Sequence, residues 1–139
     1  SSDVCSSDLL KKALEIDKNQ FKVLFNTGVV LNKLKRKEEA KKYYKKSIKS
    51  NDTYPYSYLN LALLYKDEDI EETIRILSLG IENNPGEAFL YYNRGCHFLK
   101  NNEVENAIKD IRRSIQLDDF FIDYSKKDKE LSEIWDEIW

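Results

Sequence analysis

The sequence predicts an all-α chain built from antiparallel helix pairs. Three observations carry that reading. Glycine and proline number only four and two among 139 residues, too few for the frequent turns of an all-β fold. Apolar residues recur at helical spacing through most of the chain. One pattern of small, amide and apolar residues also returns at a nearly fixed interval, which is the mark of stacked supersecondary units.

The interval comes from aligning residues 21–52, 55–85 and 88–119. A small residue recurs at Gly28, Ala62 and Gly95, and an asparagine stands two positions before each, at Asn26, Asn60 and Asn93. Further small positions follow at Ala40, Thr73 and Ala107, then at Ser47, Gly80 and Ser114. From Gly28 to Ala62 is 34 residues and from Ala62 to Gly95 is 33, the missing residue falling in the turn "KDED" of the middle unit. In the last unit Tyr91, Gly95 and Phe98 form one helical stripe, and Val104, Ala107, Ile108, Ile111 and Ile115 form a second. Asp69 followed by Glu72, and Asn102 followed by Glu105, read as N-caps of the second helices. Pro55 and the run "NNPGE" separate the units. Each unit therefore reads helix, turn, helix. The small residues allow the two helices to approach, with Leu24, Tyr58 and Tyr91 filling the space beside them.

The pattern of an aromatic residue, Gly or Ala, Tyr, Ala, Tyr or Phe, Ala or Ser and Pro at this period resembles the tetratricopeptide repeat. Arg94 departs from the usual Leu and Asp119 from the usual Pro. The first full unit has Leu24 for the aromatic residue, Asp52 for the Pro, and a turn, "KLKRKEE", without the usual Gly or Asp. The resemblance covers residues 10 to about 121 and implies an α-solenoid of antiparallel helix pairs in a right-handed superhelix. The repeats are then 21–54, 55–87 and 88–121. Residues 10–20 match the second helix of a truncated repeat, with Ala13 at the small position followed by Leu14, Ile16 and Asp17.

Residues 1–9, "SSDVCSSDL", differ in composition from the rest of the chain and back-translate in frame to the end of a common sequencing-library adaptor. They are expected to be non-native, which would strip Cys5 of any role. Residues 122–139 carry Leu131, Ile134, Trp135 and Ile138 at helical spacing, with Asp128 as the N-cap. This segment is expected to be a C-terminal helix that caps the apolar end of the stack. The N-terminal end is expected to lack such a cover and to fray or self-associate.

The formal net charge of −2 gives no global reason to expect nucleic acid or an anionic membrane. No apolar run approaches the length of a membrane span. Two distant cysteines and one histidine supply neither a disulfide framework nor a metal site, so no cofactor is expected and a reducing, cytoplasmic setting is the default. Cys96 and His97 are sequence neighbours whose side chains diverge by about 100° on a helix, so they form no catalytic dyad. His97 reads as a surface or groove residue, and no enzyme is expected.

The resemblance places a peptide-binding groove on the first helices of the units. The first full unit would contribute Lys22, Phe25, Asn26, Val29 and Lys33. The second would contribute Tyr56, Leu59, Asn60, Leu63 and Lys66. The third would contribute Phe89, Tyr92, Asn93, Cys96 and Lys100. Such a surface suits an extended peptide or a partner helix. The three asparagines could form a ladder along a peptide backbone, or could bond locally. A clamp for a C-terminal carboxylate needs Lys and Arg where this chain has Phe89 and Asn93, and is not expected. The favoured function is a non-catalytic protein-interaction module with a protein or peptide partner. One alternative is a spacer or oligomerisation arm of a larger protein. Another is an RNA-associated protein using the nine basic residues between Lys33 and Lys49, although that run reads better as a solvated helix face.

Overall fold

The structure, a computed structural model, describes residues 2–139, with side chains described at residues 8, 9 and 19–139. It comprises two bodies, residues Ser1–Asn51 and Asp52–Trp139. Both are made of the antiparallel helix pairs of an α-solenoid fold.

The first body pairs α1 (Ser2–Lys33) with α2 (Lys37–Ser50). A break was expected near residue 20, but α1 continues through it. The run "DKNQ" holds neither Pro nor Gly, so nothing there stops a helix, whereas Pro55 and Pro85 stand at the later junctions. The side chains of Cys5, Ala13, Leu14 and Ile16 lie outside the described residues. A Cβ at Gly28 would come within 2.7 Å of the Tyr44 ring, so the pair closes on glycine against an aromatic side chain. Ser47 Oγ donates to Phe21 O at 2.8 Å and ties the far ends of the two helices together. In the turn, Lys35 takes the left-handed conformation at φ 61°, the role glycine fills at such positions. Arg36 N donates to Leu31 O at 2.9 Å and closes that turn.

The second body begins with α3 (Pro55–Leu63) and α4 (Ile70–Asn83). Proline opens α3 at its first turn, where a missing N–H is harmless. α3 ends at Leu63, so Lys66 falls in the following turn rather than on the helix. Asp67, Glu68 and Asp69 place negative charge at the negative end of α3 and oppose its continuation. Asp69 then caps α4 as expected, its carboxylate accepting from Glu72 N at 3.1 Å. Thr73 Oγ1 donates to Ala62 O at 3.1 Å, bonding the two small positions directly.

The next pair is α5 (Ala88–Lys100) and α6 (Val104–Leu117). A Cβ at Gly95 would meet Ile111 Cδ1 at 2.8 Å and Ala107 O at 3.2 Å, so Gly95 and Ala107 do face each other as the sequence implies. Asn102 is not the N-cap of α6. It sits in the left-handed region at φ 62°, and Glu103 occupies the cap position one residue later. Asparagine suits either role, and here the turn takes it.

The C-terminal segment is not one helix. It divides into α7 (Phe120–Lys127), a 3-10 helix (Lys129–Ile134) and α8 (Trp135–Ile138). Asp128 is extended and makes the break, and it caps the 3-10 helix by accepting from Glu130 N at 3.1 Å. Leu131, Ile134 and Ile138 are buried with Leu99, Ala107 and Ile111 in one apolar cluster. Trp135 Nε1 donates to Ser125 O at 2.9 Å and fastens the last turn onto α7.

Candidate functional site

A cleft of about 460 Å³ opens in the second body. Its floor is α5, through Phe89, Tyr92, Asn93, Cys96 and His97. One wall carries Leu63 from the end of α3 and Lys66 from the following turn. The other carries Phe120, Phe121 and Tyr124 from α7, with Asp128 and Glu130 beyond them and Lys100 at the end of α5.

Helical spacing explains the floor. Residues 89, 92, 93, 96, 97 and 100 advance by three, one, three, one and three, which keeps them on one face of α5. Phe89 is stacked on Tyr56 of α3, with ring centroids 5.1 Å apart and planes 15° from parallel. Tyr92 is buried, stacked on Phe121 at 4.8 Å and edge-on to Tyr124 at 5.2 Å. Its hydroxyl donates to Asp128 Oδ2 at 2.6 Å. Burial first, and then that bond to a carboxylate, push the Tyr92 phenol far above its ordinary range, so it stays protonated as a fixed donor. Tyr92 therefore shapes the cleft and locks it to the C-terminal segment.

Asn93 Nδ2 donates to Phe89 O at 2.7 Å, the local alternative to a ladder along a bound peptide. Burial, followed by Asp128 and Glu130, pushes the Cys96 thiol up to about 12, so it is an inert apolar lining group at neutral pH. His97 is 4% exposed and not a surface residue, though it does line the cleft. Burial lowers its pKa and keeps the ring neutral. Its Nδ1 lies 2.8 Å from Asn93 O, which requires the proton on Nδ1 and leaves Nε2 a bare acceptor. Nε2 is buried and has no partner among the described residues.

Not all the expected groove residues come together here. Leu63, Phe89, Tyr92, Asn93 and Cys96 do, with Lys66 and Lys100 at the edge. Tyr56 reaches the cleft indirectly, through Phe89, while Leu59 and Asn60 are half-buried on α3. Lys22, Phe25, Asn26, Val29 and Lys33 share one face of α1 in the first body, with Phe25 packed 5.7 Å from Tyr44. Sequence reasoning missed the whole α7 wall. The signal was present in "FFIDY", where Phe120, Phe121 and Tyr124 crowd one side of a helix.

A second cavity of about 490 Å³ lies over α5 and α6. Its central polar groups have partners: Arg94 holds Asp110 through two bonds of 2.6 and 2.8 Å and reaches Ser78 at 3.2 Å. The basic run in the first body is also less free than it reads. Lys41 is buried and bonded to Glu38 at 3.0 Å, so it leaves the expected solvated face. Among the described residues, no group of three or more His, Cys, Asp or Glu could hold a metal ion, and no helix is long and apolar enough to cross a membrane.

The tetratricopeptide repeat model matches residues 21–54 and 90–120. Two of the three units thus match the tetratricopeptide repeat. The middle unit, residues 55–87, lies outside the matched ranges, yet α3 and α4 form the same kind of pair. Solved structures share the fold. The first tetratricopeptide repeat domain of Spaghetti (RPAP3), bound to the HSP90 peptide SRMEEVD, is 20% identical with a TM-score of 0.69, and the match covers 87% of this chain and 91% of that one. The N-terminal domain of stress-induced protein-1 from C. elegans is 21% identical with a TM-score of 0.67, covering 80% and 95%. The Yersinia enterocolitica type III secretion chaperone SycD, in complex with a peptide of the translocator YopD, is 13% identical with a TM-score of 0.65, covering 86% and 87%.

Proposed function

We propose that this chain is a non-catalytic interaction module that holds a peptide segment of a protein partner along the first helices of its repeats. The observation that carries the reading is the α5–α7 cleft. It gathers Leu63, Phe89, Tyr92, Asn93 and Cys96, expected from the resemblance, into one aromatic concavity with a largely polar lining. An aromatic groove with polar groups along it suits an extended peptide. Two of the similar structures hold peptides. The RPAP3 ligand ends in an aspartate. Here Phe89 and Asn93 stand where a clamp for such a terminus would need Lys and Arg, so an internal peptide segment is the better fit.

Peptides selected from a random display library on the intact chain test the proposal. They should lose binding to Phe89→Ala and Asn60→Ala chains and keep binding to Lys109→Glu, which lies in the other cavity. Selection of peptides indifferent to the groove substitutions would favour the spacer or oligomerisation role instead.

A further inference from the structure

The first body leaves one apolar side of α1 open. Val23, Val30 and Leu34 are 65%, 55% and 60% exposed. With Thr27 among them they follow at spacings of four, three and four residues, which aligns them along one side of the helix. Thr27 Oγ1 donates to Val23 O at 2.8 Å, so the hydroxyl in the row is satisfied within the helix. Leu34 lies just past the last helical residue and still donates its N–H to Val30 O at 3.0 Å. Gly28 stands on another side of α1 and meets Tyr44 of α2. Lys22 and Val29 stand on a third, the side expected to line the groove.

The same positions in the last pair are covered by a helix. Counted on by the two repeat intervals, Val23, Thr27, Val30 and Leu34 become Leu90, Arg94, His97 and Asn101. Leu90 and His97 are buried. A Cβ at Gly80 of α4 would lie 3.4 Å from Leu90 Cδ1. Arg94 reaches Ser78 of α4 at 3.2 Å, and Asn101 donates to Glu71 of α4 at 2.8 Å. This side of a first helix is one that the fold closes with another helix. In the last pair Pro85 and Gly86 break the chain between α4 and α5, and α4 folds back. α1 has no such break. It runs unbroken from Ser2 to Lys33, so its own N-terminal half does not fold back over Val23 and Val30. Beyond α1 the first body has only α2, which lies on the Gly28 side.

The helix itself carries a match for the open side. Ahead of Val23 the alternation of three and four continues back through Gln20, Ile16 and Ala13. From Ala13 to Leu34 five of the seven positions are apolar, the 3.5-residue period that winds two helices together. None of these positions falls in residues 1–9. Every copy of the chain presents the same row, and a heptad row pairs with its own kind.

We propose that two copies of this chain pair side by side through the α1 face that runs from Ala13 to Leu34. The α5–α7 cleft takes no part in this contact, so the pairing stands or falls independently of the groove reading.

Sedimentation velocity on the full chain tests it, at concentrations up to those of an NMR sample. Cys5→Ser serves as the background, because it removes the thiol of the N-terminal segment. The mass should rise from one chain to two. Val23→Lys combined with Val30→Lys puts charge into the row at two exposed positions. It should weaken pairing at least about tenfold per residue, with circular dichroism confirming that the variant is folded. Leu79→Lys, at an exposed apolar position of α4, should pair as the background chain does. Val30→Cys gives a local readout, since the Cys96 thiol is pushed up to about 12 by burial and reacts too slowly to compete. Its reaction with a soluble disulfide reagent should slow as pairs form. A single-chain mass at every concentration overturns the proposal. So does unchanged pairing in the double lysine variant, or a thiol reaction rate indifferent to chain concentration.

Discussion

The middle and last repeats of the second body have the same architecture and hold it with different chemistry. In the middle pair, Thr73 stands at the small position and donates its hydroxyl to Ala62 O across the helix contact. In the last pair that position is Ala107, and Gly95 lets Ile111 and the Ala107 carbonyl close in. Arg94 of the last pair replaces the usual leucine. It is held by Asp110, whose side chain is 5% exposed. The guanidinium also lies 5.4 Å from the Phe98 ring centroid. Thr73 and Arg94 each find their partner on the facing helix. The repeat thus specifies where two helices touch and leaves open whether a hydroxyl, a void-free apolar contact or an ion pair fills the contact.

The largest test of that comparison is Asp110→Ala. It leaves the partly buried Arg94 guanidinium without its counter-charge and should destabilise the chain by about 3–5 kcal/mol. Arg94→Leu combined with Asp110→Leu should recover most of the loss, because an apolar pair replaces the ionic one. Urea midpoints of the single and double variants measure both, and equal destabilisation by the two chains would mean the pair does not act as a unit.

Gly95→Leu comes next. Its Cβ would fall 2.8 Å from Ile111 Cδ1 and 3.2 Å from a backbone oxygen that cannot yield. Thermal melts should show a loss of roughly 1–3 kcal/mol. The matching change in the middle pair, Thr73→Val, keeps the shape and removes one buried hydrogen bond, for about 1 kcal/mol. Should Thr73→Val prove the more damaging of the two, the ranking of close contact over hydroxyl bonding is wrong.

The smallest effect concerns pH. Burial lowers the His97 pKa in the folded chain. Lys100 and Lys66 lower it further, while the Asn93 carbonyl and Glu130 oppose them. The unfolded chain therefore binds a proton first as pH falls through the ordinary histidine value of about 6.5. Stability contributed by neutral His97 is full above that value and declines on acidification below it. The slope of urea midpoint against pH between neutral and mildly acid conditions should be flatter in His97→Phe, and an identical slope would show that His97 does not titrate on unfolding.

Some of this was legible in the sequence, for identifiable reasons. The α5 floor of the cleft came from the resemblance to the repeat family, which says which helix lines the groove, with helical spacing counted from Gly95 placing its residues on one face. Asp69 was recognisable as a cap because an aspartate three residues before a glutamate suits little else there. Asn102 showed the same spacing and misled, since asparagine also tolerates the left-handed turn it occupies. The C-terminal segment misled similarly. Leu131, Ile134, Trp135 and Ile138 share one side of an α-helix, and the first two also suit a 3-10 helix, so periodicity alone does not reveal the break at Asp128. The aromatic wall was missed because α7 runs past the end of the last repeat at residue 121, where the repeat pattern no longer assigns sides.

The central claim is that the cleft between α5 and α7 is where this chain holds its partner. Saturation-transfer NMR on the full chain with a library-selected peptide tests it most directly. The account predicts that transfer reaches the Leu63 methyl groups, the Phe89 ring and the Tyr124 ring first, and that His97 shifts with them. Transfer confined to Ile108, Lys109 and Arg113 on α6 would contradict it.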